Sequence, residues 1–313
     1  MPSKELSGQI CIVTGASRGI GEGVALQLGE AGATVYVTGR QPSAPAISPL
    51  EKVAQEITKR GGKGIAVYVD HGNMDEVKAF FERIDEENDG QLDVLVNNAF
   101  AGVQLLLDNV SIMASHQMDP AVWDQLNNVG LRNHYYCSVY AAKMMVKNKR
   151  GLIVNISSFA GLKYLFNAAD GAGKSALDRI AIDMAHELRN HNIACVSIWP
   201  GPVKTQLVGE AVRRGNRLVT AERYQNGESL EYTGIGVRHL AGDSRKMDKS
   251  GWCWHTSDLG LEYGFTDVDG VKPPNFRSLK WILAQTGWNT TSLLVPECIR
   301  LPGWMMSAMA TKF

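Results

Sequence analysis

The sequence predicts a single α/β domain in which helices cover both faces of a doubly wound parallel sheet. The first observation behind this prediction is a series of apolar runs of strand length, each followed by a segment of helix length. Parallel strands buried on both faces are near-continuous apolar runs, and crossover helices join them. The second observation is a glycine-rich turn directly after the first run. The six runs are, in chain order, "QICIVTG", "TVYVTGR", "GIAVYVDH", "LDVLVNNA", "GLIVNISS" and "IACVSIWPG".

The regular alternation fades after Thr205. Beyond it, "YTGIGVRHLAG" predicts a further helix and "SGWCWHTSDLGLEYG" a further strand. We place the domain at residues 1–275 and treat residues 276–313 as an apolar extension. The extension never reaches the roughly 18 uninterrupted apolar residues of a spanning helix. We expect it to pack on the domain, on a dimer partner or on a membrane surface. Its tryptophans are Trp281, Trp288 and Trp304.

Composition narrows the classes of function. Basic and acidic residues balance at 32 each, so no long-range field favours nucleic acid, and we predict no nucleic-acid partner. The five cysteines lack metal-ligand spacing, which predicts reduced core residues and no metal site. The first residues carry no basic stretch followed by a long apolar run, so no secretory signal is predicted. We therefore expect an intracellular protein, either cytoplasmic or on the cytoplasmic face of the endoplasmic reticulum.

The glycine-rich turn "VTGASRGIGEG" carries glycines at Gly15, Gly19 and Gly21. Glycine permits a tight turn and lets backbone amides approach a pyrophosphate, while the helix that follows places its positive end against that charge. The alternative is a tight strand-to-helix turn that binds no ligand. The position of the turn between the first strand and a helix favours a dinucleotide site.

Four short motifs occur in order along the chain. They are T-G-x-x-x-G-x-G at Thr14–Gly21, "NNA" at 97–99, "NISS" at 155–158 and "PG" at 200–201. In this order they resemble the short-chain dehydrogenase/reductase family, and the resemblance covers nearly the whole chain. It implies a Rossmann-like fold, a nicotinamide cofactor, and a homo-oligomer that forms through the helices near residues 120–148 and 168–190.

The resemblance also assigns residues to the cofactor. It matches Asp70 to the adenine contact and the asparagines of "NNA" to the adenosine ribose, although such residues are more often helix caps or turn formers. The assigned residues are Gly15, Ser17, Arg18, Gly19, Ile20, Gly21, Arg40, Asp70, Asn97, Asn98, Lys174, Pro200, Gly201 and Thr205.

The tip of the second strand favours NADP over NAD. An acid at this position would accept hydrogen bonds from the ribose 2′-hydroxyl and repel a 2′-phosphate. No acid is present, because Thr38 and Gly39 are followed by Arg40. Arg18, inside the glycine turn, lies where a second guanidinium could flank the same phosphate. The alternative is that both arginines are ordinary solvated surface residues.

The catalytic set departs from the family at one central position. In the family's reaction a tyrosine donates the proton, a lysine four residues later binds the ribose and lowers the tyrosine pKa, and a serine holds the substrate oxygen. Carried over by position, Ser158 is the serine and Lys174 is the lysine, but Asp170 stands in the tyrosine position. Aspartate ordinarily ionises near pH 4, and Lys174 one helical turn away should hold it ionised.

A second departure concerns the asparagine that anchors a water relay in the family. Ungapped alignment on Trp123 and Asp124 places Gly130 at that position, with Asn128 two residues upstream. On a helix, residues two apart do not share a face. Asn128 should therefore point elsewhere, and could substitute only where the helix kinks.

The loops expected to face the nicotinamide are apolar, which favours an apolar ketone or alcohol such as a lipid, a steroid or a xenobiotic. Packing under a lid would explain them equally well. The residues are Leu105, Leu106, Leu107, Phe159, Leu162, Leu165 and Phe166.

Two functions follow as hypotheses: an NADP(H)-dependent oxidoreductase of reduced activity, or an impaired protein that binds NADP(H) as a sensor or scaffold. Tyr164 is the nearest other proton donor, although a role in lining the pocket is the better expectation.

Overall fold

The computed structural model describes residues 4–42, 48–108, 114–215, 221–285, 287–296, 298–303 and 305–306. Within them lies one parallel sheet of seven strands in the order β3-β2-β1-β4-β5-β6-β7. The chain thus winds outward in one direction from β1 and in the other from β4, which confirms the predicted doubly wound sheet. The strands are β1 (Ile10–Val13), β2 (Thr34–Gly39), β3 (Lys63–Tyr68), β4 (Val94–Asn97), β5 (Gly151–Ile156), β6 (Ile193–Trp199) and β7 (Cys253–His255).

Helices bury the apolar strands from both sides. One large group of buried side chains lies on each face of the sheet, as expected where strands are apolar along their whole length. The α-helices are α1 (Gly19–Glu30), α2 (Pro49–Lys59), α3 (Met74–Glu87), α4 (Val103–Leu107), α5 (Val122–Asn127), α6 (Asn133–Asn148), α7 (Ala168–Leu188), α8 (Gln206–Arg213), α9 (Ala221–Gln225), α10 (Tyr232–Gly242), α11 (Thr256–Tyr263), α12 (Leu279–Gln285) and α13 (Asn289–Leu294).

The predicted seventh strand is shorter than expected. Only Cys253–His255 pairs with β6, and Thr256–Tyr263 of "SGWCWHTSDLGLEYG" forms α11. The His255 side chain accepts a hydrogen bond from the Ser257 amide at the start of this helix. Apolar content suggested a strand here, whereas this cap and the tertiary packing favour a helix. The helix predicted at "YTGIGVRHLAG" is confirmed as α10.

A kink separates α5 from α6. Between them the chain makes a π-type turn over Asn128–Arg132, where Gly130 has a φ of 148°. A side chain is strained at this φ, so glycine suits the position. The turn is fixed by a hydrogen bond of 2.7 Å from the Gly130 amide to Asn133 Oδ1.

The C-terminal residues contact the end of β7 and the start of α11. Arg277 forms an ion pair with Asp258 at 2.9 Å, and the Phe276 ring lies 4.4 Å from the His255 ring, between centroids. None of the helices in the described ranges is both long and apolar enough to cross a membrane. Cys298 is exposed, so the prediction that all cysteines lie in the core is wrong for this one. Trp304 lies outside the described residues.

Candidate active site

The glycine turn lies where the strand order reverses, at the carboxyl ends of β1 and β4. Open α/β sheets bind ligands at this point. Gly15 and Gly19 both adopt a φ of 65°, a region that glycine enters without strain. A side chain at Gly21 would collide with Asn98 Nδ2 and would approach Gly15 O within 2.6 Å. At Gly19 the nearest atom is Thr205 Cγ2 at 3.6 Å, so the turn keeps an open surface there.

The two asparagines of the "NNA" motif lie at the end of β4, beside this turn. Asn98 Nδ2 donates to the carbonyl oxygens of Thr14 (2.9 Å) and Gly15 (3.0 Å). Asn97 is fully buried, and its Nδ2 donates to Asn155 Oδ1 at 2.9 Å. The structure therefore bonds the Asn97 side chain to protein atoms between β4 and β5, and its position suits support of the site more than contact with a ribose.

The two arginines flank one corner of the site. A Cβ built at Gly39 would lie 3.5 Å from Ser17 Cβ, so the tip of β2 touches the glycine turn. Arg18 and Arg40 each follow one of these two residues, and both side chains are exposed. Neither forms an ion pair within the described residues, which leaves both guanidinium groups available to an anion.

The other residues assigned to the cofactor surround the same crevice. Asp70 follows β3 and is exposed, and its Oδ1 accepts a bond of 2.8 Å from the Gly72 amide. Thr205 caps α8 by accepting from the Val208 amide at 3.2 Å. Pro200 and Gly201 follow β6 and are half-buried. Ser17 and Ile20 are half-buried within the turn and the first turn of α1.

Glu228 holds the loop after β6, and the sequence did not identify it. Its Oε1 accepts from the Gly201 amide at 2.8 Å and from Thr256 Oγ1. Burial raises the pKa of Glu228 to about 7, with a contribution from the charge of Asp267 and against the hydrogen bonds from Thr256 and Gly201. Nothing in the local sequence distinguishes this glutamate from the surface glutamates around it.

Ser158 lies on a short turn that packs against α7. Its Oγ accepts from the Ala160 amide at 3.1 Å, and the side chain is half-buried. A Cβ built at Gly161 would lie 2.9 Å from the Lys174 carbonyl carbon, so this turn lies directly beside the helix that carries the lysine. Since the Ser158 hydroxyl donates to no atom of the described residues, its proton remains available to a substrate oxygen.

Asp170 lies in the first turn of α7, and its environment overturns the expectation of a firmly ionised group. The residue is 3% exposed, and its Oδ2 is buried without a hydrogen-bond partner. It forms no ion pair with Lys174 within the described residues. Burial raises the pKa of Asp170, and the charge of Lys174 opposes that effect without overcoming it. The correction is physical: desolvation in the folded protein outweighs a cation one turn away.

Lys174 is half-buried and its ammonium faces an aromatic ring. Its Nζ lies 4.5 Å from the centroid of the Phe100 ring. Burial lowers the pKa of Lys174, against the charges of Asp170 and Asp178, which favour the ammonium form. The same ring fills the space beside Gly130, since a Cβ built there would lie 2.6 Å from Phe100 Cδ2.

The chain kinks next to Asn128, so helix geometry does not fix the direction of its side chain, whose hydrogen bond goes to Arg132. Its Oδ1 accepts from Arg132 NH1 at 3.3 Å on the exposed side of the turn. Its neighbour Asn127 faces α7 instead, where its Nδ2 donates to the Ala169 carbonyl oxygen at 3.1 Å. Asn127, the last residue of α5, thus contacts the catalytic helix, which sequence spacing alone did not indicate.

The apolar residues assigned to the pocket divide into two groups. Leu105, Leu106 and Phe166 belong to a small apolar cluster with Phe100, as the packing alternative predicts. Phe159 instead stacks among aromatic side chains, with ring centroids 5.9 Å from Trp199 and 6.4 Å from Phe276. Leu165 is exposed, and Leu107 and Leu162 are half-buried. Tyr164 is 71% exposed, so its hydroxyl faces solvent.

Comparison with known proteins decides the family. The family model described as short chain dehydrogenase matches residues 9–215. This chain belongs to the short-chain dehydrogenase/reductase family.

Relatives of this short-chain dehydrogenase/reductase cover nearly its full length. Dehydrogenase/reductase SDR family member 1 from Homo sapiens is 44% identical over 317 residues, which span 98% of this chain and 99% of the relative. A putative short-chain alcohol dehydrogenase from Sinorhizobium meliloti has a TM-score of 0.67 at 28% identity, over 84% of this chain and 99% of its own. A metagenomic short-chain oxidoreductase in complex with NADP has a TM-score of 0.61 at 30% identity, over 80% of this chain and 96% of its own. The oxidoreductase family, its fold and its nicotinamide cofactor are therefore established for this chain.

Proposed function

We propose that this protein is an NADP(H)-dependent oxidoreductase acting on apolar carbonyl or hydroxyl substrates, with a proton-donating step weakened by Asp170. The observation that carries the cofactor assignment is the contact between the glycine turn and the tip of β2. Arg18 and Arg40 each follow one of the two contacting residues, and no acid stands at the strand tip, which supports a site for a phosphate there. Guanidinium groups suit a 2′-phosphate, and an acid would repel it. The bound NADP in a relative of 30% identity supports the same assignment.

The residues present fit a nicotinamide dinucleotide. The open surface at Gly19, next to Thr205 at the start of α8, can admit a pyrophosphate to the backbone amides. Bound NADPH would supply the hydride. In the reductive direction the free Ser158 hydroxyl would donate a hydrogen bond that holds the carbonyl oxygen, the protonated Asp170 carboxyl would supply the proton, and Lys174 would bind the ribose.

Asp170 limits the reaction for reasons of reach and charge. Its side chain is shorter than a phenol, and its position in the first turn of α7 keeps it close to the helix backbone. The raised pKa increases the protonated fraction, so a carboxylic acid can donate here to a degree that an exposed aspartate cannot. We therefore propose slow turnover.

The test of the cofactor is a titration with NADPH and NADH, followed by fluorescence. We expect NADPH to bind more tightly because only NADPH presents a phosphate to the two arginines. Tighter binding of NADH would contradict the assignment.

A second function is favoured by Asp170 itself. A protein that retains the cofactor cradle and lacks the family's proton donor could bind NADP(H) as a sensor or scaffold. A screen of apolar ketones and aldehydes with NADPH, run beside the binding assay, separates the two functions. Binding without turnover on any carbonyl supports the sensor, whereas measurable turnover supports the oxidoreductase.

We also propose that residues 276–313 form an extension and that its first residues line the substrate side of the site. Phe276 contacts both Phe159, next to Ser158, and Trp281 at 4.7 Å between ring centroids. Further along, Leu293 and Leu294 are 76% and 83% exposed. Those two leucines give the extension a surface for a membrane or for a second subunit.

A further inference from the structure

Phe100 and Gly130 share one volume beside Lys174. The Phe100 ring lies between two glycines, because a Cβ built at Gly102 or at Gly130 would come within 2.6 Å of a ring carbon. The loop that carries the ring is joined to the kink by a bond of 3.1 Å from the Ala101 amide to the Val129 carbonyl oxygen. An asparagine side chain at position 130 would need the space that the ring fills. Gly130 and Phe100 are therefore complementary.

Within the described residues, the Phe100 ring is the group that contacts the ammonium of Lys174. Lys174 Nζ lies 4.5 Å from the Phe100 ring centroid, with no ion pair or hydrogen bond to a described side chain. A cation over an aromatic face is attracted by the ring quadrupole, and more strongly where water is displaced. The lysine is half-buried, so the ring contact acts in a partly desolvated place.

We propose that Phe100 is a positioning residue for Lys174, which holds the ammonium through its ring face in the space where the family places an asparagine side chain. The contact favours the charged form of the lysine against burial. In this chain an aromatic face thus takes over the support of the lysine, and position 130 has no side-chain amide to anchor a water. The inference rests on the proposed function only for the role of Lys174 in binding the cofactor ribose.

The variants separate the ring face from apolar volume. Phe100→Leu keeps an apolar side chain without a π face, and Phe100→Tyr keeps the face. Phe81→Leu is the matched control. Phe81 is buried in the core, where its ring contacts those of Phe80 and Tyr140, and it contacts no cation in the described residues. It makes the same chemical change far from Lys174.

The first measurement is the NADPH dissociation constant of each variant as a function of pH. Phe100→Leu should weaken binding by about 2- to 30-fold, the range of a cation–π contact. Its loss of affinity at alkaline pH should begin at lower pH than in the wild type, because the ammonium form has lost its ring. Phe100→Tyr and Phe81→Leu should match the wild type. Equal losses in Phe100→Leu and Phe100→Tyr, or none in Phe100→Leu, would overturn the proposal.

The second measurement needs no cofactor. Acetylation of Lys174 by a small amine reagent is followed by peptide mass spectrometry across pH, with the exposed Lys59 as internal reference. In Phe100→Leu the labelling midpoint should move to lower pH, whereas easier access alone would raise the rate at every pH without moving the midpoint. An unmoved midpoint overturns the proposal. A wild type that binds no NADPH yet shows the shifted midpoint in Phe100→Leu would refute the proposed function and leave the ring contact supported.

Discussion

Restoring a phenol at position 170 is the most direct test of the site. Asp170→Tyr should raise reductase turnover by about two to four orders of magnitude, the usual contribution of a general acid. Lys174 lies one turn along α7, and its charge would lower the pKa of the new phenol. No ion pair between Asp170 and Lys174 has to be broken within the described residues. NADPH affinity should stay within about twofold, because the glycine turn and both arginines are untouched.

The same substitution has a predictable effect on stability. Asp170 Oδ2 is a buried acceptor without a partner, and such a group costs about 1–3 kcal/mol. Its removal should leave the variant as stable as the wild type or more stable by up to that amount, provided that the phenol extends into the substrate side. Urea denaturation at neutral pH measures the difference.

Asp170→Phe is the matched control for this experiment. It adds the ring without the hydroxyl, so it should fold like Asp170→Tyr and turn over no faster than the wild type. The assay is the rate of NADPH oxidation with a panel of apolar ketones across pH. If the wild type already matches Asp170→Tyr, or if Asp170→Phe gains as much, the proton donor lies elsewhere and the assignment of this helix position is wrong.

Three further predictions address other parts of the molecule. Arg40→Ala should weaken NADPH binding by about 10- to 100-fold, the loss of a charge-assisted contact, and leave NADH binding nearly unchanged; equal losses for both cofactors would contradict the 2′-phosphate assignment. Because burial raises the pKa of Glu228 to about 7 from its ordinary 4.5, the folded state retains a proton that the unfolded chain releases in this window, so stability should fall as pH rises from 4.5 to 7. The side chain of Glu228→Gln cannot ionise. Its free energy of unfolding, measured by urea denaturation, should therefore exceed that of the wild type by up to about 3 kcal/mol above pH 7 and should show no gain below pH 4.5. A difference that does not depend on pH would refute this link between ionisation and stability. If Leu293 and Leu294 rest on a membrane, changing both to serine should reduce flotation with liposomes, and equal partition of the two proteins would exclude that role.

The fold was predictable because its signal is local. The six predicted runs are largely apolar and each overlaps a strand of the sheet, although the edge strand β3 has Lys63 and Tyr68 exposed at its ends. The seventh strand was overestimated because "LGLEYG" is apolar enough for either structure, and a helix cap at His255 decided the outcome. Short apolar runs do not distinguish strand from helix without such a cap.

The parts of the site that sequence reasoning missed depend on contacts between distant residues. The expectation for Asp170 used only its neighbour four residues later, whereas its pKa is governed by burial beneath other elements. Phe100 meets Lys174 across 74 positions of sequence, and only the kink at Gly130 creates the space for its ring. Glu228 reaches Gly201 in the same way, from a region with no periodic pattern.

The departures from the family are not scattered over the cofactor site. The two departures, Asp170 and Gly130, both concern proton transfer, and the Phe100 ring contacts Gly130 and Lys174, whereas the glycine turn and its supporting asparagine keep the geometry of a dinucleotide cradle. Gly15 and Gly19 both adopt a φ of 65°, which shapes the tight turn after β1 and leaves its backbone open to a ligand. Gly130 and the Phe100 ring fit each other, because a side chain at position 130 would clash with the ring and a smaller residue at position 100 would leave a cavity. We propose that the site keeps the support for a dinucleotide and that Asp170, whose Oδ2 is buried without a hydrogen-bond partner in the described residues, is the change that weakens proton transfer.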